Sequence, residues 1–133
     1  MSRENVELTY RGHDAFNRRD LHAFLALMDP DTEFTPYEVS VQGGDPYCGH
    51  DGMRTWWEES LEVLPDLRAE LYEVRDFGDR VYVRGCLRGH GASSGASFER
   101  ALWAAVEWRD GKQVRYRAFG SEAEALEAVG LSE

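Results

Sequence analysis

The sequence predicts an α+β fold, and three features predict it. Helical periodicity is confined to the first half of the chain and to its C-terminal end. After Pro65 the apolar residues alternate instead. Two-residue turn signals, Gly78-Asp79 and Asp110-Gly111, separate the alternating runs. Helices followed by a meander of long antiparallel strands place the helices on one face of the sheet. A strongly bent antiparallel sheet wrapped around three helices of the N-terminal half makes a cone with an open mouth. Such a cone is a natural cavity for a small molecule.

The elements follow in order. Val6, Tyr10, His13, Phe16 and Asn17 recur at helical spacing and predict a helix over residues 4–18. Asn17-Arg18-Arg19-Asp20 breaks it. Asp20 then caps a short helix whose apolar face is Leu21, Phe24, Leu25 and Met28. Asp29-Pro30-Asp31 reads as a turn. Thr32 to Val39 reads as a strand, with Phe34 and Tyr37 near the interior, and residues 40–48 as a Gly-rich loop. A third helix over residues 51–64 is stopped by Pro65. Strands follow from Leu67 to Phe77, Arg80 to His90, Phe98 to Arg109 and Lys112 to Phe119. Ser121 caps a final short helix, with Glu124 at the capping-box position and Gly130 as its stop. With no internal repeat and no linker, residues 1–133 read as one domain.

Charge excludes some partners. Twenty-five acidic residues against fifteen basic ones give a formal net charge of -10. Nucleic acid and anionic membrane surfaces both require a basic footprint, so neither is an expected partner. The acids are spread along the chain, as suits a solvated surface. No apolar run is long enough to cross a bilayer, and the amphipathic N-terminus lacks the apolar segment of a secretory signal. The two cysteines, Cys48 and Cys86, imply no disulfide framework, and a cytoplasmic location is the simplest expectation.

The stretch YCGHDGMRTWW, residues 47–57, holds the densest reactive chemistry. A metal site on Cys48, His50 and Asp51 would be one ligand short and would crowd its ligands into one loop. A Cys48 nucleophile would need a base placed opposite it, and His50 is too close in the chain to reach around. The favoured reading is structural: glycines permit a tight entry, Asp51 caps the helix, and Trp56 or Trp57 packs on the sheet. No metal site and no cofactor are expected.

ENVELTYRGHDAFNRRDLHAFLALMDPDTEF near the start, YCGHDGMRTWWEE in the middle and WRDGKQVRYRAFGSEAEALEAVGL at the end resemble the SnoaL-like polyketide-cyclase group. That group belongs to the nuclear-transport-factor-2-like superfamily of cone-shaped α+β proteins. The same cone serves isomerases, epoxide hydrolases, cyclases, dehydratases and non-catalytic modules, so function has to be argued from the pocket. Aligned on the steroid-isomerase branch, the base position falls on Thr35, the oxyanion-side acid near Ala104 and the phenol near Gly12. None of these carries the branch's group. The cyclase branch's strand Asp has no counterpart beyond Glu99 and Glu107, and the epoxide-hydrolase triad has no match.

His13 lies on the apolar side of the first helix, between Tyr10 and Phe16, where relatives usually carry Phe or Tyr. It reads either as a satisfied core histidine or as a general base. The resemblance turns the strand faces of Ala104 and Tyr116 into the cone. Arg100 shares the Ala104 face, and reads either as a pocket cation or as a solvated strand-end charge. His13 and Arg100 are thus the catalytic candidates, and Tyr10, Tyr37, Trp56 and Tyr116 the substrate-binding ones. The opposite face carries Ala101, Trp103 and Ala105, and a wet face should be polar there. A homodimer through that face is expected, as many members of the superfamily pair there. Two functions stay open: proton-transfer chemistry on a small apolar cyclic or polyketide-like molecule, or a non-catalytic ligand-binding homodimer. A transport adaptor is a third.

Overall fold

The computed structural model describes residues 2–130. Met1 and residues 131–133, which the expected domain span includes, lie outside them. The elements are α1 (Ser2–Asn17), α2 (Leu21–Ala26), β1 (Met28–Thr35), α3 (Tyr37–Gln42), β2 (Tyr47–Cys48), α4 (Gly49–Val63), β3 (Arg68–Phe77), β4 (Arg80–His90), β5 (Ser97–Arg109), β6 (Lys112–Phe119) and α5 (Glu122–Ala128). The strands form one open, curved sheet in the order β2-β1-β6-β5-β4-β3. The β3–β6 meander is antiparallel throughout, as the turn signals require. β1 departs from the expectation by joining β6 in parallel. The parallel pair sets Phe34 directly beside Tyr116.

Three local readings change. The strand expected to run to Val39 stops at Thr35, and Tyr37–Gln42 is a short helix. The Ser40 hydroxyl donates to the Ala118 carbonyl and pins that helix to β6. The Asp29-Pro30-Asp31 turn lies inside β1, where the Asp31 N–H donates to the Asp29 carboxylate and the β1–β6 register shifts between Met28 and Glu33. Helix α4 begins at Gly49 with Cys48 as its cap residue, so Asp51 sits in the first turn rather than at the cap.

Two side chains fix α1 against the sheet. The Asn17 amide accepts from the Ala69 N–H at 2.9 Å and donates to its carbonyl at 2.8 Å, like an added strand residue. Arg19, at φ 62°, donates to the Phe16, Pro65 and Leu67 carbonyls, which closes the C-terminus of α1 onto the start of β3. These anchors set which side of α1 faces the sheet. The main core fills the space between the helices and the inner sheet face, with Met53, Val81, Val83, Ala104, Val106 and Trp108 at 2% exposure or less.

The outer face is not left bare, contrary to the expectation. Ala125 of α5 and Val129, which caps that helix, pack there against Tyr82 and Ala105. The Tyr82 hydroxyl donates to Glu122 at 2.9 Å and holds the helix down. Trp103 and Phe119 flank this cluster, only partly buried. Beyond it the face is charged, with Arg84–Glu73 at 3.2 Å, Arg88–Glu70 at 2.9 Å and Arg88–Glu99 at 2.8 Å.

Candidate functional site

Between the helices and the inner face lies a cavity of about 370 Å³. Its volume falls in the usual range of small-molecule sites. Rings make much of its wall: Phe34 packs on Trp56 with centroids 4.6 Å apart and on Tyr116 at 5.2 Å, and Phe16 meets Trp56 at 5.4 Å. Polar groups are few, and most of them fall in two places.

The first is on the wall formed by α1 and β6. His13 Nδ1 lies 2.8 Å from the Thr9 carbonyl, one helical turn back. A carbonyl only accepts, so Nδ1 carries the hydrogen. In neutral imidazole Nε2 is then an acceptor, and the Tyr116 hydroxyl donates to it at 2.7 Å. Thr9 is itself held, because its hydroxyl donates to the Asn5 carbonyl at 2.8 Å and accepts from the Trp108 indole at 2.9 Å. The chain Trp108–Thr9–His13–Tyr116 therefore fixes both the tautomer and the ring orientation. Burial pulls the His13 imidazole below its ordinary pKa, against the Thr9 hydrogen bond, which acts in the other direction. Burial pushes the Tyr116 phenol above its ordinary value. Both groups are neutral near pH 7.

The second polar group is at the mouth. Arg100 bonds Glu38 at 2.7 Å and lies over Tyr37, 4.2 Å from the ring centroid, with Phe98 at 5.0 Å. Its side chain is 27% exposed against 56% for Glu38, so the guanidinium is the more sheltered partner. Nearby, the Tyr47 hydroxyl donates to Glu59 at 2.9 Å, and that bond, with burial second, raises the phenol's pKa.

His13, Tyr37, Trp56, Arg100 and Tyr116 all line this one cavity. Tyr10 does not: it is 47% exposed on the far side of α1. The buried stripe of α1 runs through Leu8, Thr9, Gly12, Ala15 and Phe16, so Thr9 occupies the turn before His13 that was read for Tyr10. Sequence reasoning missed Gln113, Glu38 and the Tyr47–Glu59 pair. Strict alternation from Tyr116 would turn Gln113 outward. Val114 is an extra residue in the β5–β6 pairing, which returns Gln113 to the inner face with its amide 3.2 Å from the Met28 sulfur.

The residues of the 47–57 stretch diverge. His50 Nε2 sits 3.0 Å from the Met28 carbonyl and ties α4 to β1. The Asp51 side chain is fully exposed and pairs with Arg54 at 3.1 Å. Cys48 is exposed. Gly49, at φ 71°, lies so close to β1 that a side chain there would meet the Pro30 carbonyl at 3.2 Å. Among the described residues no three His, Cys, Asp or Glu side chains gather as a metal site, and no helix is long and apolar enough to cross a membrane.

A curved sheet closed by helices over one mainly apolar cavity defines a small-molecule-binding α+β domain of the nuclear-transport-factor-2-like class. The chain belongs to the SnoaL-like domain family, whose model matches residues 10–116. A nuclear-transport-factor-2-like protein of unknown function from Burkholderia pseudomallei is 26% identical, with a TM-score of 0.78 over 98% of this chain and 100% of its own. TerC, co-crystallised with polyporic acid, is 25% identical, with a TM-score of 0.76 over 96% of this chain and 99% of its own. A protein from Xanthomonas campestris pv. campestris, assigned to the polyketide cyclases, shares the fold at 19% identity, with a TM-score of 0.74 over 97% of this chain and 98% of its own. Among curated proteins none matches this chain.

Proposed function

We propose that this domain binds a small apolar ring compound in its cavity and catalyses proton transfer on it, in a cyclisation, isomerisation or dehydration. The observation that carries the reading is the His13–Tyr116 hydrogen bond at the wall of an otherwise apolar, aromatic cavity. Tyr116 is buried and His13 half-buried, the imidazole is oriented by a third group, and both are neutral near working pH, as suits a proton-transfer site. Tyr37, Trp56 and Phe34 supply ring surface for the ligand, and Arg100 supplies positive charge at the mouth for a carbonyl or enolate oxygen. TerC's co-crystallisation with polyporic acid supports a ligand with acidic character. No metal or cofactor is needed for such a step. Trp56 lies on the cavity wall, so titrating naphthol should quench the tryptophan emission in a saturable way. Unchanged emission together with an unchanged melting temperature would refute the reading.

A non-catalytic, ligand-binding homodimer is the second reading. The exposed Ala101 and the half-buried Trp103 beside α5 favour pairing of two copies, ringed by the Arg84, Arg88, Glu73 and Glu99 charges. Light scattering on the eluted protein should give about twice 15.2 kDa, and Trp103→Glu should halve that mass. A monomeric wild type at micromolar concentration removes the dimer. Two unbridged cysteines fit the reducing cytoplasm expected for the protein.

A further inference from the structure

Both nitrogens of His13 are engaged, Nδ1 on the Thr9 carbonyl and Nε2 on the Tyr116 hydroxyl. A ligand cannot reach the imidazole without displacing one of these partners. The Tyr116 oxygen is in a different position. It lines the cavity, its one hydrogen is given to His13, and among the described residues no donor reaches its lone pairs. The cavity is thus presented with a phenol oxygen that accepts and does not donate. The rest of the inner wall is mostly rings and aliphatic side chains.

We propose that Tyr116 is the catalytic residue that meets the ligand, that His13 is a positioning residue acting through it, and that the feature recognised is an acidic hydroxyl: a phenol, or the enol of a ring ketone. This inference rests on the proposed function and names the substrate class of the same site. The geometry balances as a two-proton relay. The ligand O–H bond breaks and its proton goes to Tyr116 Oη, while the Tyr116 proton moves to His13 Nε2. The ligand is left as an oxyanion, Tyr116 stays neutral, and His13 becomes an imidazolium whose Nδ1–H keeps its bond to Thr9. Run backwards, with the proton delivered to a ring carbon instead of the oxygen, the relay converts enol to ketone. One O–H is lost, one C–H is gained, and no oxidant or reductant takes part. A ligand that offers only an acceptor at this point, such as an ether, would face the Tyr116 lone pairs and gain nothing.

Naphthol and its methyl ether, methoxynaphthalene, test this directly. They share the ring, and only naphthol carries the O–H. Wild-type protein should bind naphthol about tenfold more tightly, the worth of one good hydrogen bond to a buried group. Tyr116→Phe should bring the two affinities together. Naphthol also becomes a strong acid on excitation, so naphtholate emission reports an acceptor within hydrogen-bond reach. Excited beyond the tryptophan band, the wild-type complex should emit as naphtholate. Both Tyr116→Phe and His13→Leu should emit as neutral naphthol while still binding it. Binding of neither probe would sink the cavity reading and this inference with it. Equal wild-type affinities would overturn the inference alone. Naphtholate emission that survives Tyr116→Phe but not His13→Leu would show that His13 takes the proton directly, which also overturns it.

Discussion

Cys48, His50 and Asp51 lie within four residues of sequence, whereas His13 and Tyr116 are 103 residues apart. The dense cluster disperses in space. His50 serves the backbone of β1, Asp51 pairs with Arg54 in solvent, and Cys48 is exposed. The distant pair converges at 2.7 Å in a partly buried setting. The reason is geometric. At a helix start, successive side chains leave at about 100° to one another, so neighbours in sequence point apart. A helix laid on a sheet brings a few of its residues against strands far along the chain. Chemistry is therefore to be sought where side chains of distant elements meet, and the meeting of His13 on α1 with Tyr116 on β6 is one such place.

The largest effect is expected from blocking the space that the pair faces. Leu102 is 4% exposed and lines the cavity on the same inner face as Arg100. Leu102→Trp should fill part of the 370 Å³ and weaken naphthol binding at least about a hundredfold. Calorimetric titration would show it, and unweakened binding would place the ligand elsewhere.

A smaller effect should separate the cluster from the pair. His50→Ala removes a hydrogen bond to a backbone carbonyl and should cost about 1 kcal/mol in urea denaturation. It should leave naphthol affinity unchanged. Cys48→Ser should alter neither quantity. A binding loss from either variant without a matching loss of stability would return function to that loop.

Legibility in the sequence followed the same division between local and distant. The starts of β4 and β6 were readable because Gly78, Asp110 and Gly111 adopt the positive φ that such two-residue turns use. The cap of α5 was readable because Ser121 accepts from the Glu124 N–H three residues on. The inner positions of His13, Arg100 and Tyr116 followed from periodicity plus the family resemblance. What was hidden depends on distant partners. Tyr37 to Val39 reads as the end of a strand and residues 40–42 as loop, yet Tyr37–Gln42 is helical against β6, its Ser40 hydroxyl bonded to Ala118. The extra residue at Val114 is invisible to strict alternation and concealed Gln113. The covering of Tyr82 and Ala105 by α5 could not be read from the strands alone, which is why the outer face looked barer than it is.

The smallest effect concerns proton binding by His13 and contrasts it with the exposed histidine at the other end of the sheet. His90 is largely exposed and bonds Asp66 at 2.7 Å. His13 is held neutral by burial, with its folded pKa below the ordinary value near 6.5. The groups facing it are Thr9 and the Tyr116 hydroxyl, and the titratable groups elsewhere on the cavity wall are Tyr37, Glu38, Tyr47, Glu59 and Arg100. Because the folded pKa is depressed, the unfolded chain binds this proton first as pH falls. Stability at this site is therefore full above about pH 6.5 and declines as pH falls below it, down to the folded pKa. His13→Leu should remove that part of the slope of unfolding free energy against pH. Each unit of depression is worth about 1.4 kcal/mol. The naphthol complex should show the opposite linkage if the relay runs, because an imidazolium paired with a ligand oxyanion raises the proton affinity of His13. A nitrogen-15 spectrum of selectively labelled histidine should report the Nδ1–H tautomer in the free protein at pH 7 and an imidazolium when naphthol is bound as its anion. An Nε2–H tautomer in the free protein would reverse the Tyr116 hydrogen bond and with it the contrast between the two regions.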